Sequence, residues 1–235
     1  MGLLDSFKTM LSGGKSDVHS RFEFMREAIS GTMSEFYMAR DRKTGQIVAL
    51  KILDAKKTEF FESRFKGLKK PVEGEIAMAM DHPNIVKTYE HGKTPSGQQY
   101  LVMEFLEGPG LNSLIIGRSK SLDGKRLSLI RQTAKALQAV HTAGYIHRDV
   151  CPRNLMCTTA ELDTLKLIDF GLTVPATPPF MLPGNRTGTP NYMAPELVKR
   201  QKTDQRLDVF AFGVTAYEIL TFELPWERGS DGRAA

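Results

Sequence analysis

Two short polar clusters joined by apolar strand sequence constrain this chain more than any other feature. The first is His147-Arg148-Asp149-Val150-Cys151-Pro152-Arg153-Asn154, and the second is Asp169-Phe170-Gly171. Leu165-Lys166-Leu167-Ile168 reads as a strand that delivers the chain to Asp169. Taken singly, Arg-Asp in a loop is an ordinary surface ion pair, and Asp-Phe-Gly is an ordinary turn. Taken in order, they put two carboxylates and an amide on loops beside short strands. The chain has 235 residues, enough for one large domain or two small lobes. Its hydrophobic fraction, 41%, suffices for a packed core and excludes wholesale disorder.

This order and spacing resemble the catalytic loop and metal-binding loop of a protein kinase. The residue types suit that chemistry. A protein hydroxyl loses a proton as it attacks phosphorus, so one carboxylate must face it. Two divalent metals are held against the phosphates, so a second carboxylate and an amide oxygen are needed. The resemblance gives Asp149 the first role and Asn154 with Asp169 the metal-holding role. It implies an α+β, bilobal fold, with a small β-rich N-lobe carrying one helix and a mainly helical C-lobe. It also implies ATP and Mg2+ as cofactors and Ser/Thr-containing proteins as substrates.

Composition narrows the partners. Net charge is +5, from 32 basic and 27 acidic residues, with no dense basic run interleaved with aromatics. That suits phosphate handling, and no nucleic acid is expected. The two cysteines, Cys151 and Cys157, form no Cys-x-x-Cys pair, so reduced thiols in a cytoplasmic protein are expected. No apolar run reaches about 18 residues, so no transmembrane segment is expected.

Residues 1–20 read as an N-terminal extension, residues 21–107 as N-lobe and hinge, and residues 108–235 as C-lobe. Leu3, Leu4, Phe7, Met10 and Leu11 recur at helical spacing, and Ser12-Gly13-Gly14 stops the pattern. Met1-Gly2-Leu3-Leu4-Asp5-Ser6 also fits a myristoylation pattern, so residues 1–11 carry an alternative reading as a membrane anchor.

Ile47 to Leu53 is an apolar strand with Lys51 inside it, and a buried lysine is costly unless paired. Val48-Ala49-Leu50-Lys51 resembles the kinase strand whose lysine holds the α and β phosphates. The same register lays the glycine-rich loop on residues 29–34, where only the middle glycine, Gly31, is present. Ile29 and Ser34 replace the outer two, which should loosen the hold on phosphate. A helix is expected within residues 54–80. Counting back from His82-Pro83-Asn84 makes Glu73 the partner of Lys51, with Glu75 as the alternative. Gly74 weakens that helix by roughly 1 kcal/mol. Tyr100 to Gly108 resembles the strand and hinge that bind adenine. By that match Met103 is the gatekeeper, the Glu104 carbonyl and Leu106 amide face the base, and Ala49 and Met156 sandwich it.

Leu127, Ile130, Ala134, Leu137 and Val140 predict a helix over residues 124–141. Residues 155–168 suit two short strands around a polar turn. Residues 169–196, with Pro175, Pro178, Pro179 and Pro183, read as irregular. Their end, Gly188-Thr189-Pro190-Asn191-Tyr192-Met193-Ala194-Pro195-Glu196, resembles the substrate-docking loop of serine/threonine kinases, with Thr189 able to bond Asp149. Arg148 would face an activation-loop phosphate, with Thr187 the first candidate and Thr177 the second. Cys151 stands where serine/threonine kinases carry a lysine that contacts the γ-phosphate, and Arg153 is expected to substitute for it.

Residues 208–220 predict a helix apolar almost all round, and so buried, headed by Asp208. By resemblance Asp208 accepts backbone hydrogen bonds from the catalytic loop; an N-cap is the structural alternative. The family's C-lobe continues through further helices. The chain ends at Ala235, so the resemblance implies a truncated C-lobe, aggregation-prone and weakly active alone. Glu196 would then find only Arg233 as a late basic partner. The reading is transfer of the ATP γ-phosphate to serine and threonine hydroxyls. Rival readings are a nucleotide-binding pseudokinase scaffold, a small-molecule kinase, and an inert fragment acting as an interaction module.

Overall fold

A computed structural model describes residues 16–26, 28–31, 33–183 and 186–226. Residues 1–11, with the helix and anchor readings, lie outside the described residues, as does Arg233. The chain divides into two compact units. One comprises residues up to Ala79 together with Lys87–Phe105, and the other Met80–Val86 together with the chain from Leu106.

The first unit is built on an antiparallel sheet of β1 (Phe22–Phe24), β2 (Ile29–Ser30), β3 (Ser34–Asp41), β4 (Ile47–Leu53), β5 (Thr88–Lys93) and β6 (Gln99–Glu104). Their order is β1-β3-β4-β6-β5, with β2 also on β3. Strand β4 is central, which explains its near-continuous apolar run. Val18, Phe22, Ala39, Val48, Leu50, Tyr100 and Val102 share one core cluster. A one-turn helix, α1 (Val18–Arg21), leads in, capped by the Asp17 carboxylate, which accepts from the amides of His19 and Ser20. Arg21 locks this turn to the sheet. Its guanidinium lies 2.8 Å from Asp41 and 2.7 Å from Glu90, and Tyr100 donates to Glu90 at 2.8 Å. Burial and the Glu90 hydrogen bond push the Tyr100 phenol up to about 12.

The helix expected within residues 54–80 is two helices. α2 (Ala55–Glu62) is capped by Asp54, whose carboxylate accepts from the Lys57 amide at 3.0 Å. A 3-10 turn over Ser63–Phe65 follows. Gly67, in the left-handed region at φ +85, and Pro71 then break the helical path before α3 (Glu73–Met78).

The second unit holds α4 (Leu111–Ile116), α5 (Arg126–Thr142), a short α6 (Pro195–Val198) and α7 (Arg206–Thr221). Its strands form two small antiparallel pairs. β7 (Tyr145–Ile146) pairs with β10 (Val174–Pro175), and β8 (Leu155–Cys157) with β9 (Leu165–Leu167). The stripe predicted for α5 is rotated. Leu129, Thr133, Ala136, Leu137 and Val140 are buried, while Leu127 is 71% exposed. A threonine occupies the core line because its hydroxyl donates to the Leu129 carbonyl at 2.9 Å, leaving nothing unpaired.

Helix α7 also departs from expectation, since only one face is buried. Leu207, Asp208, Ala211, Val214 and Ile219 face inward, whereas Val209, Tyr217 and Leu220 are exposed. Asp208 is not the N-cap. That position belongs to Gln205, and Asp208 lies in the first turn with its carboxylate turned inward. At the other end Arg126 donates to the carbonyls of Ile219 and Leu220, at 2.6 and 3.0 Å, and covers the Phe222 ring. A cation there complements the helix dipole.

Candidate active site

In the first unit the candidate group is one ion pair. Lys51 on β4 is 2% exposed, and its ammonium lies 2.5 Å from Glu73 Oε1 on α3. Phe36, the cross-strand neighbour of Lys51, carries its ring beneath the ammonium at 5.3 Å. Glu75 is engaged otherwise, accepting from the Val72 amide at 3.0 Å, which satisfies an amide ahead of the helix. The structure thus brings Glu73, not Glu75, to Lys51. Ala49, on the same strand, stands between Met38 and Met103 in the sheet register. Met103 is buried. Glu104 closes β6, its amide donating to the Lys87 carbonyl at 2.9 Å while the Lys87 amide donates to the Glu104 carboxylate at 2.6 Å. Gly31 is exposed, and its amide donates to the Ser34 carbonyl at 2.8 Å.

In the second unit the polar cluster hangs from one carboxylate. Asp208 is 0% exposed and accepts from the amides of His147 and Arg148, at 2.8 and 2.7 Å. His141 Nε2 on α5 stands 2.8 Å from the same group. These bonds hold Arg148 at φ +71, a left-handed conformation that costs a non-glycine residue about 1–3 kcal/mol. Gly188 passes close above. Its φ is +137, and a Cβ there would stand 2.8 Å from the Arg148 carbonyl oxygen, so only glycine fits.

The turn at Arg148 presents Asp149. Its Oδ1 accepts from the amide and hydroxyl of Thr189, at 2.8 and 2.7 Å. Its Oδ2 accepts from Asn154 Nδ2 at 2.9 Å, and the same nitrogen donates to the Asp149 carbonyl at 2.8 Å. With Nδ2 so used, the Asn154 side chain is held in one orientation. The Asn154 carbonyl accepts from Ile168, tying the loop to the approach to Asp169, and Asp169 Oδ1 accepts from Gly171 at 2.8 Å. Phe170 is buried, its ring edge-on to His147 at 5.4 Å. Leu106 is buried in this unit, and Met156 on β8 bridges to Gly110.

A profile of the protein kinase domain matches residues 22–234. The chain belongs to the protein kinase family. Serine/threonine-protein kinase pkn2 of Myxococcus xanthus is 32% identical over 225 residues, covering 93% of this chain and 26% of pkn2. Serine/threonine-protein kinase pkn3 of the same organism is 30% identical over 220 residues, 89% of this chain and 39% of pkn3. Serine/threonine-protein kinase PknB of Mycobacterium tuberculosis is 32% identical over 223 residues, 90% of this chain and 34% of PknB. The chain spans well under half the length of these curated relatives.

From the sequence, two places are expected to depart from the kinase pattern. One is the loop around Gly31. The other is Cys151, which is 1% exposed, with its sulfur 3.8 Å from the Thr189 hydroxyl. Burial, then the neighbouring Asp149 charge, pushes the Cys151 thiol up to about 12, so it is neutral. Arg153 lies on the 3-10 turn Pro152–Asn154 with its side chain exposed. Thr177 is exposed, whereas the Thr187 hydroxyl oxygen is buried. Sequence reasoning missed His141 as a partner of Asp208. Its signal was faint, a histidine at the end of a predicted helix. No helix among the described residues is long and apolar enough to cross a membrane.

Proposed function

We propose that this kinase domain transfers the γ-phosphate of ATP to serine and threonine hydroxyls of proteins, with magnesium. The observation that carries the reading is the pair of hydrogen bonds that the Thr189 amide and hydroxyl donate to Asp149 Oδ1, while Asn154 donates to Oδ2. A carboxylate so oriented can accept the proton of an incoming hydroxyl. The names of the relatives support serine and threonine as acceptors.

Lys51, paired with Glu73, is assigned to the α and β phosphates. Asn154 and Asp169 are assigned to the metal. One carboxylate with one amide oxygen is a hard oxygen donor set that leaves the remaining positions to phosphate and water, as Mg2+ prefers. Bound magnesium supplies neutralisation of the phosphate oxygens. By the family resemblance, the Glu104 and Leu106 backbone groups, Ala49, Met103 and Met156 are assigned to adenine, and Gly31 to the phosphates. Thr177, being exposed, is the more accessible of the two candidate activation-loop phosphosites.

The test is phosphorylation of a generic basic protein, with and without magnesium, followed by phosphoamino-acid analysis. Phosphoserine and phosphothreonine that depend on the metal are the expected products. Nucleotide binding with no turnover would replace this reading with a scaffold.

A further inference from the structure

Glu73 is followed on α3 by a glycine, and that glycine meets β5. A Cβ built on Gly74 would stand 2.4 Å from both Cβ and Cγ of His91 and 2.7 Å from its Nδ1. No real Cβ sits so close to another heavy atom, so either the helix or the histidine would have to move. The obstacle is not a flexible tip. His91 Cβ is fixed to a strand paired with β6.

The sheet register links this contact to the candidate site. His91 is directly opposite Leu101, and Leu101 is directly opposite Lys51. Directly opposed residues share a face of the sheet, so the three side chains form one row. α3 lies against that row, with Gly74 on its His91 end while Glu73 reaches Lys51 at 2.5 Å. Helix propensity argues for alanine rather than glycine inside a helix, so the glycine has another reason to be there.

We propose that Gly74 and His91 act as a spacer that sets how closely α3 approaches the sheet, and so position Glu73 against Lys51. This rests on the reading of that pair as the group that holds the ATP phosphates. Both are positioning residues. The small residue on the helix is matched to the large one on the strand, and the pair forms because their volumes complement.

The test is a size swap read by crystallography, binding and turnover together. In Gly74→Ala, Lys51 Nζ and Glu73 Oε1 are expected beyond hydrogen-bond distance, a fluorescent ATP analogue should bind more weakly, and turnover should fall by about 10²-fold, as for small misplacements of catalytic groups. Gly74→Ala with His91→Gly should restore the ion pair and most of the turnover. Gly74→Ala with His91→Ala should not, because the His91 Cβ remains in the way. A Gly74→Ala structure with the ion pair intact would overturn the proposal whatever its activity. If Gly74→Ala does not fold, the swap decides. A folded swap with the pair restored supports the spacer, and a swap that lacks the pair or does not fold overturns it. Lys51→Met separates the two readings. Full turnover in Lys51→Met would end the phosphate-holding role of the lysine, while the spacer would still stand or fall on the crystallographic distance.

Discussion

The two units carry their candidate groups in different ways. In the second unit a chain of hydrogen bonds runs through the loop: Asp208 holds the backbone of His147 and Arg148, Thr189 and Asn154 hold Asp149, and Asn154 in turn holds the approach to Asp169. In the first unit one ion pair, Lys51 with Glu73, stands beside a loop with a single glycine. A carboxylate that must receive a proton needs its own orientation fixed, and side chains fix it. A loop that cradles phosphate works with backbone amides, so its sequence can drift while its chemistry is diluted rather than lost. On the proposed function, the comparison sets an ordered proton-accepting loop against a phosphate loop with one glycine, both in one domain.

The largest expected effect breaks the second unit. Asp169→Asn removes the charge of the proposed metal-holding tripeptide but keeps its shape, so Gly171 retains an oxygen to bond. Turnover should fall by about 10³-fold or more, with the far-UV dichroism unchanged. Near-normal turnover in a folded Asp169→Asn protein would remove Asp169 from the site.

A smaller but sharper test concerns the substitution inside that loop. With a neutral, buried thiol at Cys151, no cation occupies the position, and Arg153 is the nearest candidate. Arg153→Ala should slow transfer by about 10²-fold, the loss expected for one preorganised donor. Cys151→Lys in that background should return much of the rate. An unchanged rate in Arg153→Ala would make Arg153 a surface charge and leave the loop without a substitute.

These two units were not equally legible in the sequence. Strand β4 was read with its observed bounds because its apolar run is unbroken except at Lys51. The two helices between β4 and β5 merged into one expectation, because the break lies in backbone conformation at Gly67 rather than in a change of pattern. The choice of Glu73 over Glu75 rested on counting from His82, and the geometry that separates them, a glutamate bonded to an amide ahead of its own helix, is invisible before the helix start is known. On α5 the buried stripe was displaced because Thr133 was not counted as a core residue. His141 and Gly74 went unread as parts of their sites, since each acts on a residue distant in sequence.

The first unit can be sharpened by restoring what it lacks. Ile29 is 75% exposed, so replacing it costs little packing, and Ile29→Gly with Ser34→Gly rebuilds three glycines. One added backbone bond to phosphate is worth about 1 kcal/mol, so KM for ATP should drop about fivefold. The maximal rate should change by less than about twofold, because the gain is in ground-state binding. A rate gain without a change in KM would show that the loop limits chemistry instead, and the contrast between the units would narrow.

The smallest effect concerns the pH response of the loop itself. Burial is the first cause that raises the Cys151 thiol to about 12, and the adjacent Asp149 charge is the second; the Thr189 hydroxyl and the amides of Arg153 and Asn154 pull the other way without prevailing. Cys157, also buried, is pushed up to about 11. A group whose folded value is raised contributes stability that is fully present below its unfolded value, near 9, and that is lost as pH rises toward about 12. Between pH 6 and 8, therefore, neither thiol should titrate, and neither should contribute a step to the pH–rate profile. Both should resist iodoacetamide at pH 8 in the folded protein and react once it is denatured, because the thiolate is the attacking species. Mass spectrometry of each cysteine after timed labelling gives the answer. Rapid native labelling of Cys151 would mean that the thiol reaches solvent as thiolate, and the account of the loop as closed around a buried thiol would have to be given up.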